Sequence, residues 1–355
     1  MSICIAGPGL LRPDEAQAQQ MQLYSRVLGA TLITHHRPGD PIVEGSTAIT
    51  LNVKEASRWP WSRLTQRMGI ARFYRHHCQS FDRVILPGGI DKSLFSLIAP
   101  GKCIPLLSNQ LTNIPSSVRR RFIKIAQRTP AILVTSKTAQ DELLRLGIPD
   151  SKISLITPTI EDSHVRNHPP KKFTLLFASA PRGAPDEASL RFQEKGINLL
   201  FDAVSDLNID VVLLWRQDYY RELISLLSSK ERKCTVRVVN KNLEDASNYY
   251  SLSSAVVIPY AGLLQSPEYP RSAIEGLAAG IPVICTTVPE IHELISHEKC
   301  GVVSVPDASH LRAAILDVQK NRHVYSAHAR RAFQKHFLLS PEKITQLKAA
   351  VQAGQ

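Results

Sequence analysis

The stretch "EYPRSAIEGLAAGIPV" (residues 268–283) carries more polar chemistry than a buried helix requires: Glu268, Arg271 and Glu275. Pro270 suits the first turn of a helix, which would leave the amides of Arg271, Ser272 and Ala273 without partners inside that helix. A helix start of this kind attracts anions. Glu275, one to two turns further in, can accept hydrogen bonds from two hydroxyls of a ligand. Upstream, Lys195 precedes a glycine in "EKGINLLFDAV" (194–204), which reads as a helix start. A lysine there opposes the helix dipole, and a bound anion would account for it. Arg182 and Arg191 lie in the preceding "PRGAPDEASLRFQE" (181–194), and the sequence does not choose between them.

The elements that must position these residues alternate short apolar runs with amphipathic stretches. "SICIAG" (2–7), "ATLITHH" (30–36), "FDRVILPGG" (81–89) and "KCIPLLSN" (102–109) read as strands, with a helix over 13–29 and a basic one over 116–129. "PAILVTSKTAQDELLRLGIPDSKISLITPTIE" (130–161) reads as strand, capped helix and strand. The polar "EDSHVRNHPPKK" (161–172) has the composition of a linker. The alternation then restarts at "FTLLFASA" and runs to a helix in "SHLRAAILDVQKN". Alternating strands and helices imply α/β architecture with parallel, doubly wound sheets. Two Rossmann-like domains are expected, over residues 1–165 and 170–335. A C-terminal helix over 340–355 is expected to return to the first.

The chain has 355 residues and a net charge of +12, of which residues 1–165 contribute +8. Charge of this sign concerns partners rather than fold. "KEASRWPWSRLTQRMGIARFYRHH" (54–77) interleaves six Lys/Arg with two Trp, a Phe and a Tyr. That mixture fits an anionic membrane surface, or an ordinary surface helix whose aromatics pack inward; Arg119, Arg120 and Arg121 would extend the same basic face. No nucleic-acid-binding motif accompanies the charge, so nucleic acid is not expected. No apolar segment reaches the roughly 20 residues of a membrane span, and no secretory signal is evident. Six scattered cysteines read as reduced thiols. The expected location is cytoplasmic, with peripheral attachment to the inner membrane face as an extension. The pairs His35–His36 and His76–His77 do not make a metal site, because adjacent side chains project differently. No metal is expected.

"EKGINLLFDAV", "VVIPY…SPEYPRSAIEGLAAGIPV" (256–283), "PEIHELI" (289–295) and "CGVVSVPDASHLRAAI" (300–315) occur in that order. The ordered set resembles retaining glycosyltransferases of the GT-B fold, family 4. The resemblance implies two Rossmann-like domains facing a cleft, with a nucleoside-diphosphate sugar as donor and no further cofactor. It implies that Glu275 grips the nucleotide ribose and that Lys195, with Arg182 or Arg191, meets the diphosphate. The helix start at Arg271, Ser272 and Ala273 would join them. Gly7 and Gly9 of "AGPG" stand where the family has a glycine-rich turn near the donor phosphates, although the family's glycine pair is not reproduced. Glu293 matches a glutamate after the loop that closes over the donor, with Glu290 as a local competitor. Glu268 would contact the donor sugar, but six residues separate it from Glu275, one fewer than the family's usual spacing.

The resemblance implies a UDP-sugar donor first and a GDP-sugar second. The acceptor would be a glycan, a lipid-linked carrier or a small molecule, in surface polysaccharide or glycolipid synthesis. Two other readings stand beside it. One is a binding-only homologue that supports a partner enzyme, motivated by the shortened glutamate spacing. The other is a sugar-nucleotide epimerase, which would need paired acid–base residues that are not evident.

Overall fold

The computed structural model describes residues 1–7, 16–36, 46–50, 75–87, 100–108, 116–162, 168, 170–181, 185–215, 218–229, 231–241, 243, 245–263 and 266–353. The chain divides into two compact units, one formed by residues 1–158 with 339–355 and the other by residues 159–338.

The first unit contains β1 (Ile3–Gly7), α1 (Ala16–Leu28), β2 (Thr31–His36), β3 (Ser46–Thr50), β4 (Arg83–Pro87) and β5 (Cys103–Leu107). It continues through α2 (Ser116–Ala126), β6 (Ile132–Val134), α3 (Lys137–Arg145) and β7 (Ile153–Leu155). The strands lie in the order β3-β2-β1-β4-β5-β6-β7, and every pairing among them is parallel. Parallel strands buried on both faces read as unbroken apolar runs; all five residues of "CIPLL" in β5 are buried. Helices cover the faces. Phe122 and Ala126 of α2 pack with Ala139 and Leu143 of α3 on one side. On the other, Met21 and Tyr24 of α1 meet Leu347, Ala350 and Val351 of the C-terminal helix (Pro341–Gln352). The Sγ atoms of Cys4 and Cys78, far apart in sequence, lie 3.8 Å apart as buried thiols.

The second unit runs β8 (Thr174–Phe177), α4 (Ala188–Glu194), α5 (Ile197–Val204), β9 (Asp210–Trp215), α6 (Tyr220–Ser228), β10 (Thr235–Asn240), α7 (Ser247–Ser251) and β11 (Ala255–Ile258). There follow α8 (Arg271–Ala278), β12 (Val283–Thr286), α9 (Ile291–His297), β13 (Gly301–Ser304) and α10 (Ala308–His336). Its parallel sheet has the order β10-β9-β8-β11-β12-β13. Both units therefore have the doubly wound α/β form that the alternation implies.

Three local differences from the sequence reading have physical causes. β3, "STAIT", was not anticipated, since a short polar edge strand lacks an apolar signature. Residues 188–194, to which no element is assigned from the sequence, form α4, whose Phe192 is buried against Trp215 and Tyr219. The last helix of the second unit does not stop near Asn321 but bends there (φ −111°, ψ 18°) and continues to His336. No helix among the described residues is long and apolar enough to cross a membrane.

Candidate active site

In a doubly wound sheet the chain leaves a central strand toward one side and later returns to the other. Ligands bind at the carboxyl ends of the strands flanking that switch. In the second unit the switch falls between β8 and β11. Ser179, two residues beyond β8, and Tyr260, two residues beyond β11, meet there through their hydroxyls. The Lys195 ammonium donates to both, to the Tyr260 hydroxyl at 3.1 Å and to Ser179 Oγ at 3.3 Å, and stands 4.3 Å from the Tyr260 ring centroid. A cation thus sits at the switch point on two hydroxyls.

The helix-dipole argument for Lys195 needs correction. Lys195 is the C-cap of α4, with its amide on the Arg191 carbonyl at 3.0 Å, and a cation suits that end of a helix. Its placement is fixed instead by Gly196, which turns the chain at φ +67° from α4 into α5. A Cβ there would lie 1.6 Å from the Pro259 carbonyl oxygen. Only glycine permits this approach.

Arg191 is buried, and its donors go to carboxylates of its own neighbourhood: Nε and Nη2 to Glu187 at 3.1 and 2.8 Å, Nη1 to Glu194 at 3.1 Å. Arg182 lies outside the described residues. Gly7 closes β1 at the switch of the first unit's sheet, between β1 and β4; Gly9 lies outside the described residues, as do residues 54–74 of the basic stretch.

Helix α8 begins at Arg271, and Pro270, expected in its first turn, stands just before it as the N-cap with extended backbone (φ −61°, ψ 127°). The expected trio of open amides is reduced, because Ala273 already donates to the Pro270 carbonyl at 3.0 Å. The amides of Arg271 and Ser272 remain at the helix start. Glu275 lies one turn on, about a quarter exposed, and accepts from Arg271 Nε at 2.7 Å. It also takes the hydroxyl of buried Tyr250, whose pKa rises well above the usual tyrosine value through burial and then through the Glu275 charge. Gly276 lets α8 lie on β11; a Cβ there would meet Val256 at 2.6 Å.

Glu268 is 2% exposed, and a carboxylate so buried needs a partner. Its Oε2 accepts from the Glu290 amide at 2.7 Å, while its backbone carbonyl accepts from the Ile291 amide at 3.2 Å. Next to it, the Tyr269 hydroxyl donates to Glu290 Oε1 at 3.0 Å. Glu268 therefore serves as a remote N-cap for α9. Glu293 is exposed in the first turn of that helix, with its amide on the Glu290 carbonyl. The structure thus joins Lys195 to Tyr260 and Ser179, Glu275 to Arg271 and Tyr250, and Glu268 to Glu290.

The sequence reading missed Ser179, Tyr260, Tyr250 and Glu194. The carboxylate of Glu194, 3% exposed, accepts from Ser266 Oγ at 2.9 Å as well as from Arg191. The "EKG" triplet pointed to Lys195 and Gly196; nothing in it marked the residue before them. Among the described residues no group of three or more His, Cys, Asp or Glu is arranged to hold a metal ion. The rings of His76 and His77 pack edge to face, with centroids 5.0 Å apart.

Residues 188–321 match the profile of the family described as glycosyl transferases group 1. No curated protein matches the sequence. Among solved structures, sucrose-phosphate synthase from Thermosynechococcus elongatus superposes with TM-score 0.73 at 14% identity, over 99% of this chain and 98% of that one. HepE from Anabaena, in complex with UDP and glucose, gives TM-score 0.73 at 13% identity over 99% and 98%. TarM from S. aureus, in a complex that includes UDP, gives 0.75 at 10% identity over 99% of both chains. The protein is a chain of GT-B fold whose residues 188–321 carry the sequence pattern of the group 1 glycosyltransferases.

Proposed function

We propose that the protein transfers a sugar, with retention of configuration, from a nucleoside-diphosphate sugar to a glycan, lipid-linked or small-molecule acceptor. The observation that carries this reading is the Lys195 ammonium held on Tyr260 and Ser179 at the switch point, inside the segment that matches the family. In this reading Lys195 neutralises the charge that develops on the leaving diphosphate. Arg182 shares that task, since the Arg191 guanidinium is taken up by Glu187 and Glu194. The amides of Arg271 and Ser272 complete the anion site, and Gly7, Gly9 and Glu293 border the donor. Glu275 accepts the ribose hydroxyls, sharing its carboxylate with Arg271. Glu268 contacts the donor sugar. UDP is favoured over GDP, in keeping with the UDP present in the HepE and TarM structures. The reaction needs no metal.

The N-terminal residues 1–165 hold the acceptor, with 340–355 returning to them, and residues 54–77 attach to an anionic membrane surface on the cytoplasmic side. Acceptors of surface polysaccharide or glycolipid synthesis would be presented there. A second reading, a binding-only homologue, is favoured by one observation: an oxygen of Glu268 is already committed to the Glu290 amide.

Thermal unfolding with UDP, GDP and their sugars tests the reading. A nucleotide at 100 times its Kd stabilises the folded state by about 2.7 kcal/mol. A shift with UDP-sugar, and release of UDP on incubation, are the expected results. No shift with any nucleotide would overturn the donor site, and binding without turnover across a broad donor set would favour the second reading.

A further inference from the structure

Residues 194–196 are laced onto the segment that follows β11. The Glu194 carbonyl accepts from the amides of Ala261 at 2.9 Å and Gly262 at 3.2 Å. Its carboxylate accepts from Ser266 Oγ at 2.9 Å, and Ser266 is itself 1% exposed. Lys195 reaches Tyr260, and Gly196 lies against Pro259. The segment 259–267 leads into Glu268 and α8. A buried carboxylate is costly without compensation, and Glu194 has it from Arg191 Nη1 at 3.1 Å.

We infer that Glu194 is a positioning residue. It holds Ala261 and Gly262 through its carbonyl and Ser266 through its carboxylate, and so sets Glu268 and the start of α8 in register with Lys195. The inference rests on the nucleotide-sugar reading for what is positioned, but not for the positioning itself. A loop held from one buried anchor keeps the diphosphate and sugar contacts at a fixed separation. Nucleotide binding alone uses Lys195 and Glu275, on either side of that loop; sugar transfer also needs Glu268, which the loop delivers.

The test uses the full chain carrying Ser266→Ala, which removes one side-chain anchor with little change of volume, and Ser266→Thr, which keeps the hydroxyl. Glu194→Gln provides a second variant with an acceptor still in place. Three quantities are measured: amide hydrogen exchange in the peptide spanning 259–267, UDP affinity, and kcat and KM for UDP-sugar hydrolysis. Ser266→Ala should exchange at least tenfold faster at Ala261 and Gly262 and lose at least tenfold in kcat. UDP affinity should change by less than threefold, and Ser266→Thr should recover most of the kcat. Glu194→Gln should fall between Ser266→Ala and the unmodified chain in both exchange and kcat. Unchanged exchange and kcat in Ser266→Ala would overturn the inference. Equal losses in UDP affinity and kcat would overturn it too, because they mark general destabilisation. Should the unmodified chain bind no nucleotide, the donor reading fails separately, and the exchange measurement still decides whether Glu194 anchors the loop.

Discussion

Gly196→Ala isolates the approach on which Lys195 depends. Alanine at φ +67° costs about 1–2 kcal/mol in the left-handed region. Its methyl would also lie 1.6 Å from the Pro259 carbonyl oxygen, where an ordinary contact begins near 3.4 Å. Relieving that overlap moves backbone, at the roughly 1–3 kcal/mol typical of overpacking. The sum is about 2–5 kcal/mol. Gly280→Ala is an internal control: its φ of +74° is similar, but its nearest neighbour is the Arg330 Cβ at 4.0 Å, so only the first cost applies. For a unit of this size each kcal/mol shifts Tm by roughly 2–4 °C. Calorimetry should show Gly280→Ala falling by about 2–8 °C and Gly196→Ala by about 4–20 °C. Stabilisation by UDP should be lost in Gly196→Ala alone, since Lys195 moves with its neighbour. Equal Tm shifts in the two variants would refute the steric argument. Retained UDP stabilisation in Gly196→Ala would refute the link to Lys195.

Glu275→Ala should weaken UDP binding by about 1–3 kcal/mol, roughly 5–150-fold by calorimetric titration; Glu275→Gln, which keeps an acceptor for Tyr250, separates ligand loss from the cost of an orphaned buried hydroxyl. Glu268→Ala should lower stability by about 0.5–2 kcal/mol through its cap on α9, and Glu268→Gln should keep the fold and UDP binding while turnover falls at least tenfold, about 1.4 kcal/mol. Glu298, hydrogen-bonded by Lys335 at 2.8 Å and His336 at 2.7 Å, is held at about 2 against an ordinary 4.5. A lowered carboxylate pKa gives stability that is present above about 4.5 and lost as pH falls toward 2; Glu298→Gln should therefore cost on the order of 1–2 kcal/mol in denaturant titrations at pH 7, after allowance for solvent screening, and progressively less below pH 4. Replacing Arg63, Arg67 and Arg72 by Glu should reduce sedimentation with anionic liposomes, as should added salt; an unmodified chain that never sediments would remove the membrane reading.

The fold was legible because parallel strands buried on both faces leave unbroken apolar runs, and β5 and β11 are such runs. β3 was not legible, because "STAIT" has no comparable contrast with its surroundings. Lys195 and Glu275 stood out through local signals, a glycine after one and a proline-led helix around the other. Ser179 and Tyr260 did not, being 81 residues apart. Each is an ordinary residue after a strand, and only the sheet order brings them together. The work of Glu268 was also hidden. Its partner amide, on Glu290, belongs to backbone, and a backbone donor has no letter in a sequence.

The division of the chain has a consequence for its synthesis. The core of the first unit is begun by β1, β2 and α1 and finished by Leu347, Ala350 and Val351. The whole of residues 159–338 must leave the ribosome between those two events. At about 5–20 residues per second that interval is roughly 10–40 s. Through it the nascent first sheet holds an apolar face uncovered, while the second unit, contiguous in the chain, has all it needs to close. The later half is thus placed to complete its core before the earlier half does.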